Sequence, residues 1–274
     1  MNVRAALAEA DARLRAVSAT PRLDAELLMA HALGFTREAL LLGGLERAAP
    51  PSFEELVERR LAHEPVAYIT GRRAFWTIEL TVGPGVLIPR PDSETLIEAA
   101  LAGFGDAGPA TILDLGTGPG TLLLAALDQW PQARGLGIDR SETALAVAAR
   151  NADRLGLAAR ARFARGDWAE GIGERFDLIL CNPPYVETEA PLPPDVSEWE
   201  PAEALFAGAD GLDAYRRLAP GLGGLLAPGG MACLELGAGQ AEAAAALFAR
   251  EGFTTSSRND LNGVARCLVL RLAA

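Results

Sequence analysis

Asn182-Pro183-Pro184-Tyr185 places an amide, two rigid imides and an aromatic ring after FDLIL and Cys181, an apolar run that reads as a buried strand. Two prolines cannot continue a sheet ladder, and each pushes the residue before it toward extended geometry. The backbone there is stiff and unpaired, so its carbonyls are available for something else. A planar nitrogen carrying two hydrogens is a poor nucleophile, because its lone pair is delocalised. The Asn182 side-chain oxygen and the Pro183 backbone carbonyl, side by side, can each accept one N–H of such a group. They would orient the nitrogen and favour the charge it gains as a bond forms. Pro183 and Pro184 keep the acceptors fixed, and Tyr185 can lie flat against an amide or a base. Positioning of this kind is worth about 7–11 kcal/mol of a barrier. The bland alternative is a proline-rich turn around a buried asparagine.

Upstream groups favour the chemical reading. DLGTGPG, residues 114–120, lies between an apolar strand and a helix. Glycines there let the backbone approach a ligand, and the helix N-terminus favours a negative group. Gly116, Gly118 and Gly120 fall as GxGxG, the third too early for the dinucleotide spacing GxGxxG. With Thr117 and Pro119 between them, they suit a cofactor without a pyrophosphate, such as S-adenosylmethionine. Asp139 ends the next strand, where a carboxylate can accept both ribose hydroxyl protons. Alternatively it caps the helix SETALAVAARNADRLG, a task open equally to Ser141. Asp167 and Trp168 close the third strand. The carboxylate can accept from an adenine amino group, and the indole offers an apolar face beside the base. Three strand ends in order, each with a fitting group, describe an adenosyl pocket.

These positions depend on a sheet. From about Pro109 the pattern is strand, loop, helix, repeated: TILDL, RGLGID, RFARGD, FDLILC, MACLELG, then a final pair near TTSSR and RCLVLRL. Such alternation predicts an α/β fold with a parallel, doubly wound sheet, whose ligands bind outside the carboxyl ends of the strands. Before it, FWTIELTV alternates apolar and polar residues and meets a Gly-Pro-Gly turn, a β-hairpin signal. Residues 1–73 read as short helices. Thr20 is an expected N-cap, with Pro21 at the first helical position and Gly34 as the stop. Ser52 and Glu55 form an expected capping box in a helix that Pro65 ends. The expected organisation is a helical bundle over 1–73, a hairpin linker over 74–91 and the sheet domain over 92–274. The bundle carries no catalytic constellation and reads as a packing module or a docking surface.

Bulk properties exclude several classes. Of 274 residues half are hydrophobic, enough for a sizeable core. The net charge of −11 denies the chain the basic face with which proteins grip a nucleic acid backbone, so no direct nucleic acid partner is expected. All 25 basic residues are arginine. The apolar stretch 218–234 is broken by Pro220, Pro228 and glycines, which argues against a membrane span. The charged N-terminus shows no export signal. Cys181, Cys233 and Cys267 lack metal-ligand spacing and read as reduced core thiols of a cytoplasmic protein. His31 and His63 fall in helical segments away from other ligands, and no metal is expected. VETEAPLPPDVSEWEPAEA, after the tetrapeptide, holds six carboxylates and no basic residue. It would repel a polyanion and attract a basic protein loop, or simply be a solvated loop.

NPPY after FDLIL, with DLGTGPG upstream, resembles the class I S-adenosylmethionine-dependent amino-methyltransferases. YITG before a hairpin containing FW, VLIPRP, EP-x-x-AL with DGLD-x-YRR, and PGG…LELG…Q narrow the resemblance to the peptide chain release factor glutamine methyltransferases. It covers nearly the whole chain. One departure is PRPDSE, where the family more often has PRPETE; Glu94 stays in register. The resemblance implies a Rossmann-like, seven-stranded, mostly parallel sheet with an N-terminal helical domain that helps dock the release factor. It implies methyl transfer to the side-chain amide of the glutamine in a GGQ tripeptide, leaving S-adenosylhomocysteine. By residue it implies cofactor contacts at Gly116, Thr117, Gly118, Pro119, Gly120, Asp139, Trp168 and Asn182, and substrate held by Asn182, Pro183, Pro184 and Tyr185. A monomer is expected. The tetrapeptide alone leaves other substrates open: a ribosomal-protein glutamine, or an exocyclic amine of DNA or RNA. A non-catalytic cofactor-binding module is the reading from a different class.

Overall fold

The computed structural model describes residues 1–273, in two compact units: Met1–Arg72 with Leu192–Glu200, and Arg73–Pro191 with the rest of the chain from Pro201. In the first unit, helices Val3–Leu14, Pro21–Leu33, Ser52–Leu61 and Val66–Thr70 enclose a core built on Leu7, Leu28, Met29, Phe53 and Val57. A π-helical turn, Leu40–Gly44, sends Leu40 into that core and leaves Leu42 exposed. Pro21 and Gly34 bound their helix as their types dictate, Gly34 in the left-handed region at φ 68°. Thr20 stands at the N-cap position as expected, but its hydroxyl donates to Asp24 and accepts from no helix amide. Ser52 is not an N-cap, because Pro51 is already helical at φ −57° and ψ −33° and the helix starts one residue early. His63 lies beyond its helix, in a turn at φ 64°.

Part of the acidic stretch belongs to this unit. The short helix Pro194–Ser197 brings Asp195 to Arg60, whose buried guanidinium also pairs with Asp24 at 2.9 Å and donates to the Val17 carbonyl. Asp195 is therefore a neutralised partner within a fold and not a free charge on a solvated loop.

The chain then forms a two-stranded sheet, β1 (Arg72–Phe75) and β2 (Ile78–Thr81), that turns at Trp76-Thr77; the expected turn at Gly83-Pro84-Gly85 joins no strands, because residues 86–89 lie in no strand. Seven strands follow: β3 (Thr111–Leu115), β4 (Arg134–Asp139), β5 (Ala161–Arg165), β6 (Phe176–Cys181), β7 (Leu226–Glu235), β8 (Phe253–Asn259) and β9 (Ala265–Leu272). They form one sheet in the order β5-β4-β3-β6-β7-β9-β8. Pairing is parallel from β5 through β7 and antiparallel at β7/β9 and β9/β8. Leu113, Leu115, Ile179 and Leu180 are wholly buried, as expected for central strands covered by helices on both faces. Pro220 sits inside the helix Asp213–Leu225. The order reverses at β3: the chain runs outward through β4 and β5, then returns to place β6 on the other side. This reversal is the topological switch point where open α/β sheets bind ligands. The loop after β3 is DLGTGPG and the loop after β6 is NPPY, and Leu115 pairs with Cys181, so the two motifs leave the sheet side by side.

All three cysteines are free and buried. Among the described residues no helix is long and apolar enough to cross a membrane. No three His, Cys, Asp or Glu among them gather as they would around a metal ion.

Candidate active site

A cavity of about 270 Å³ opens at the switch point, within the second unit. Its floor is the glycine loop. Gly116, Gly118 and Gly120 have φ of 71°, 56° and 87°, a conformation L side chains rarely adopt, which is why glycine recurs there. Asp139, at the end of β4, braces this loop: Oδ2 accepts from the Gly118 amide at 2.9 Å and Oδ1 from the Ser141 amide at 2.9 Å. Ser141 performs the helix cap, accepting from Ala144, so the cap is not the task of Asp139. Each Asp139 oxygen keeps a free lone pair for a ligand hydroxyl.

Trp168 stands over the loop in a left-handed conformation, φ 52°. For a tryptophan this is a strained backbone, of the sort that surrounding structure must enforce. A β-carbon on Gly116 would lie 3.5 Å from the indole, so the glycine leaves room beneath the ring. Asp167 also lines the cavity, and its Oδ2 is taken by an exposed ion pair with Arg217 at 2.7 Å.

The tetrapeptide is only partly in the cavity wall. Asn182 and Pro184 line it, whereas Pro183 is buried behind them and Tyr185 turns inward. The Asn182 Nδ2 donates to the Ser93 hydroxyl at 3.2 Å, and that bond turns the side-chain oxygen the other way. The Tyr185 hydroxyl donates to Glu235 Oε1 at 3.2 Å, and burial pushes its pKa up. Gln240 secures the Tyr185 carbonyl at 3.0 Å, and Gly211 is tight against it: a β-carbon there would stand 2.3 Å from that oxygen. After the tetrapeptide, Val186 bridges to Phe206, so the return of the acidic segment, including the cavity-lining Glu203, is tied to the site.

Three residues not singled out in the sequence belong here. Asp114, the first residue of DLGTGPG, is 1 % exposed and lines the cavity. Its Oδ2 accepts from the Thr117 hydroxyl at 2.7 Å and the Leu123 amide at 3.2 Å, but Oδ1 has no partner among the described residues. Burial raises its pKa to about 7, the two hydrogen bonds opposing. A carboxylate oxygen left bare at the edge of a cavity fits a cationic ligand group such as an ammonium. Ser93 and Glu235 are the others. An acidic residue in an otherwise apolar strand, as in TILDL and LELG, was the available signal for Asp114 and Glu235; Ser93 offered none.

The glycine cradle, a braced carboxylate, an indole over the cradle and a bare buried oxygen could together hold an adenosyl cofactor carrying an ammonium. Residues 5–71 match the PrmC N-terminal domain and residues 108–207 a methyltransferase domain. The release factor glutamine methyltransferase of Rhodospirillum rubrum is 47% identical over 261 residues, 93% of this chain and 80% of that protein. That of Moorella thermoacetica is 44% identical over 250 residues, 89% of this chain and 88% of that protein. The chain belongs to the release factor glutamine methyltransferase family. Solved structures agree in fold. A methyltransferase from Pyrococcus furiosus is similar with a TM-score of 0.55 at 18% identity, covering 80% of this chain and 98% of that one. A ribosomal protein L11 methylase from Lactobacillus delbrueckii subsp. bulgaricus reaches 0.51 at 18% identity, covering 67% and 81%.

As a member of this methyltransferase family, the chain is expected to show a proton-linked cofactor site. Below pH 7 the buried Asp114 is neutral; an ammonium beside it favours the ionised form, so binding releases a proton. Affinity for S-adenosylhomocysteine should therefore fall as pH drops below about 7, by up to about tenfold per pH unit. Asp114→Asn should abolish that dependence while weakening binding at pH 8, as calorimetry at several pH values would show. Because burial raises this pKa, the neutral form supports the fold in acid. That support is lost as pH climbs from the ordinary carboxylate range through 7. The ligand-free Asn variant should then melt higher than the parent at pH 8, and an Asn variant that binds as well as the parent at every pH would refute the assignment.

Proposed function

We propose that this protein transfers the methyl group of S-adenosylmethionine to the side-chain amide nitrogen of the glutamine in the GGQ loop of a peptide chain release factor. The observation that carries the reading is that Asn182 lines the cavity while its Nδ2 donates to Ser93, which leaves the side-chain oxygen without a partner among the described residues. An acceptor there can take an N–H of an incoming primary amide, orient its nitrogen and favour the charge it gains. The cofactor supplies an electrophilic methyl on a positively charged sulfur.

In this reading Gly116, Thr117, Gly118, Pro119 and Gly120 give the backbone cradle. Asp139 accepts the ribose hydroxyls and Asp114 the ammonium, with Asp167 and Trp168 beside the adenine. Pro184 forms the wall next to Asn182. Pro183 and Tyr185, outside the cavity lining, support the clamp from behind, so the expected second acceptor at the Pro183 carbonyl is dropped. No side chain is needed as general base, because the methylated nitrogen sheds its proton readily to solvent. Residues 1–73 dock the release factor, 74–91 link, and 92–274 catalyse. The carboxylates left in the 186–204 segment suit a basic partner loop. The protein acts as a monomer in the cytoplasm.

The test incubates the protein with labelled S-adenosylmethionine and a purified release factor, either wild type or with Gln→Ala in GGQ. Label should enter the wild-type factor alone. Equal labelling of both factors, or labelling only of ribosomal proteins or nucleic acid offered in parallel, would overturn the proposal.

A further inference from the structure

Glu235 ends β7 with no exposed surface, behind the tetrapeptide and outside the cavity lining. Its Oε1 accepts from Tyr185, while Oε2 has no hydrogen-bond partner among the described residues. An unpaired oxygen on a buried carboxylate is costly, and a neutral side chain of the same shape would avoid the cost. Two hydroxyls favour its charged form, those of Ser93 and Tyr185. Ser93 is buried, acts on the carboxyl as a hydrogen-bonding neighbour, and is the residue that receives Asn182 Nδ2. Glu235 thus stands one hydroxyl away from the amide that aims the clamp.

Hydrogen-bond polarity gives that arrangement a consequence. Ser93 has one proton. With Glu235 ionised, the proton is drawn toward the carboxylate, and only lone pairs remain for Asn182. The asparagine must then present Nδ2 to Ser93 and its oxygen to the cavity. With Glu235 protonated, the acid can donate to Ser93 Oγ and the serine proton is free to point at Asn182. The amide can then flip and show the cavity an NH2, which repels a donor.

We propose that Glu235 is the positioning residue of the clamp: through Ser93 it sets which end of the Asn182 amide faces the substrate, and through Tyr185 it holds the loop that carries it. This rests on the methyl-transfer reading above for its kinetic consequence, though not for its structural one. The groups facing Glu235 set where the switch occurs. Arg266 on β9 favours the ionised form, shared with Asp92 at 3.1 Å and Asp260 at 3.4 Å, while Asp92 itself opposes it. Tyr185 follows β6, and the buried thiols of Cys181 and Cys267 lie on β6 and β9. Tyr215, on its helix, donates to the Glu235 carbonyl. Burial dominates, and the carboxyl is raised to about 7.

The experiment measures kcat at saturating cofactor, which removes Asp114 from the profile. The parent should lose rate below about pH 7. Glu235→Gln should lower kcat by about 10²-fold, the scale of a misplaced reacting group, and lose that acid limb. KM for release factor and affinity for S-adenosylhomocysteine should change less than about threefold. Ser93→Ala should behave alike, and the double variant should lose no more than either single one. With S-adenosylhomocysteine saturating, which removes Asp114 here too, and no release factor present, the side-chain amide resonances of Asn182 should shift between pH 6 and 8 in the parent and stay fixed in Glu235→Gln. If Glu235→Gln fails to fold, Ser93→Ala carries the test. A parent-like kcat and acid limb in either variant overturns the proposal, as do Asn182 resonances that titrate identically with and without the carboxylate. If the resonances respond as expected but no release factor is labelled, the positioning role stands and the substrate assignment falls.

Discussion

Asn182→Ala is expected to lower methyl transfer to the release factor by about 10³-fold, the upper range for removing one preorganised hydrogen-bonding group from a site of developing charge. The loss should appear in kcat. The alanine variant keeps the glycine cradle, Asp139 and Asp114, so affinity for S-adenosylhomocysteine should hold within about threefold even though Asn182 touches the same cavity. Fold stability should change little, since the one bond lost is Asn182 to Ser93, at the cavity edge. Single-turnover kinetics at saturating cofactor, with calorimetry of the same preparation, separates the two effects. Near-normal turnover, or a loss confined to cofactor affinity, would make Asn182 part of the cofactor cradle and remove the clamp. It would also leave room for a non-catalytic role, as would normal cellular function of a variant that transfers no methyl.

A comparable loss on the cofactor side should follow Asp139→Ala. This substitution removes the bracing bonds to the Gly118 and Ser141 amides together with the acceptor offered to the ribose. Hydrogen bonds to a charged group are worth about 1.5–3 kcal/mol each, so losing two to ligand and loop costs about 3–6 kcal/mol of binding. That corresponds to at least about 10²-fold weaker cofactor affinity. Asp139→Asn keeps one acceptor and should fall between. Helix Glu142–Arg154 should persist in both, because Ser141 caps it. Calorimetry with S-adenosylhomocysteine decides: affinity unchanged in the alanine variant would reduce Asp139 to a purely structural brace.

The fold and the site differ in how far they can be read along the chain. The sheet was legible because its central strands are continuous apolar runs. TILDL, RGLGID and FDLILC are what a strand covered on both faces must look like, and the structure forms β3, β4 and β6 from them. Glycines 116, 118 and 120 were legible because their backbone conformation excludes other residues, and Pro21 and Gly34 because each suits one end of a helix. Local signals failed where two were compatible with one stretch. Ser52 has capping chemistry, yet Pro51 starts the helix first.

The chain order of residue types thus settles which runs become buried strands, the glycine loop and the stiff tetrapeptide, all consequences of interactions within a few residues. The three-dimensional fold settles the rest. Ser93 reaches Asn182 across 89 residues, and Tyr185 meets Glu235 across 50. Asp195 leaves an acidic stretch to neutralise Arg60, 135 residues away. Whether a carboxylate is solvated, paired or buried with a bare oxygen depends on neighbours that only chain reversal supplies, and electrostatics in a dry interior is decided by those neighbours. For that reason Asp114 and Glu235 passed as ordinary acidic residues in the primary structure, and stand in the folded protein as carboxyls that burial raises to about 7.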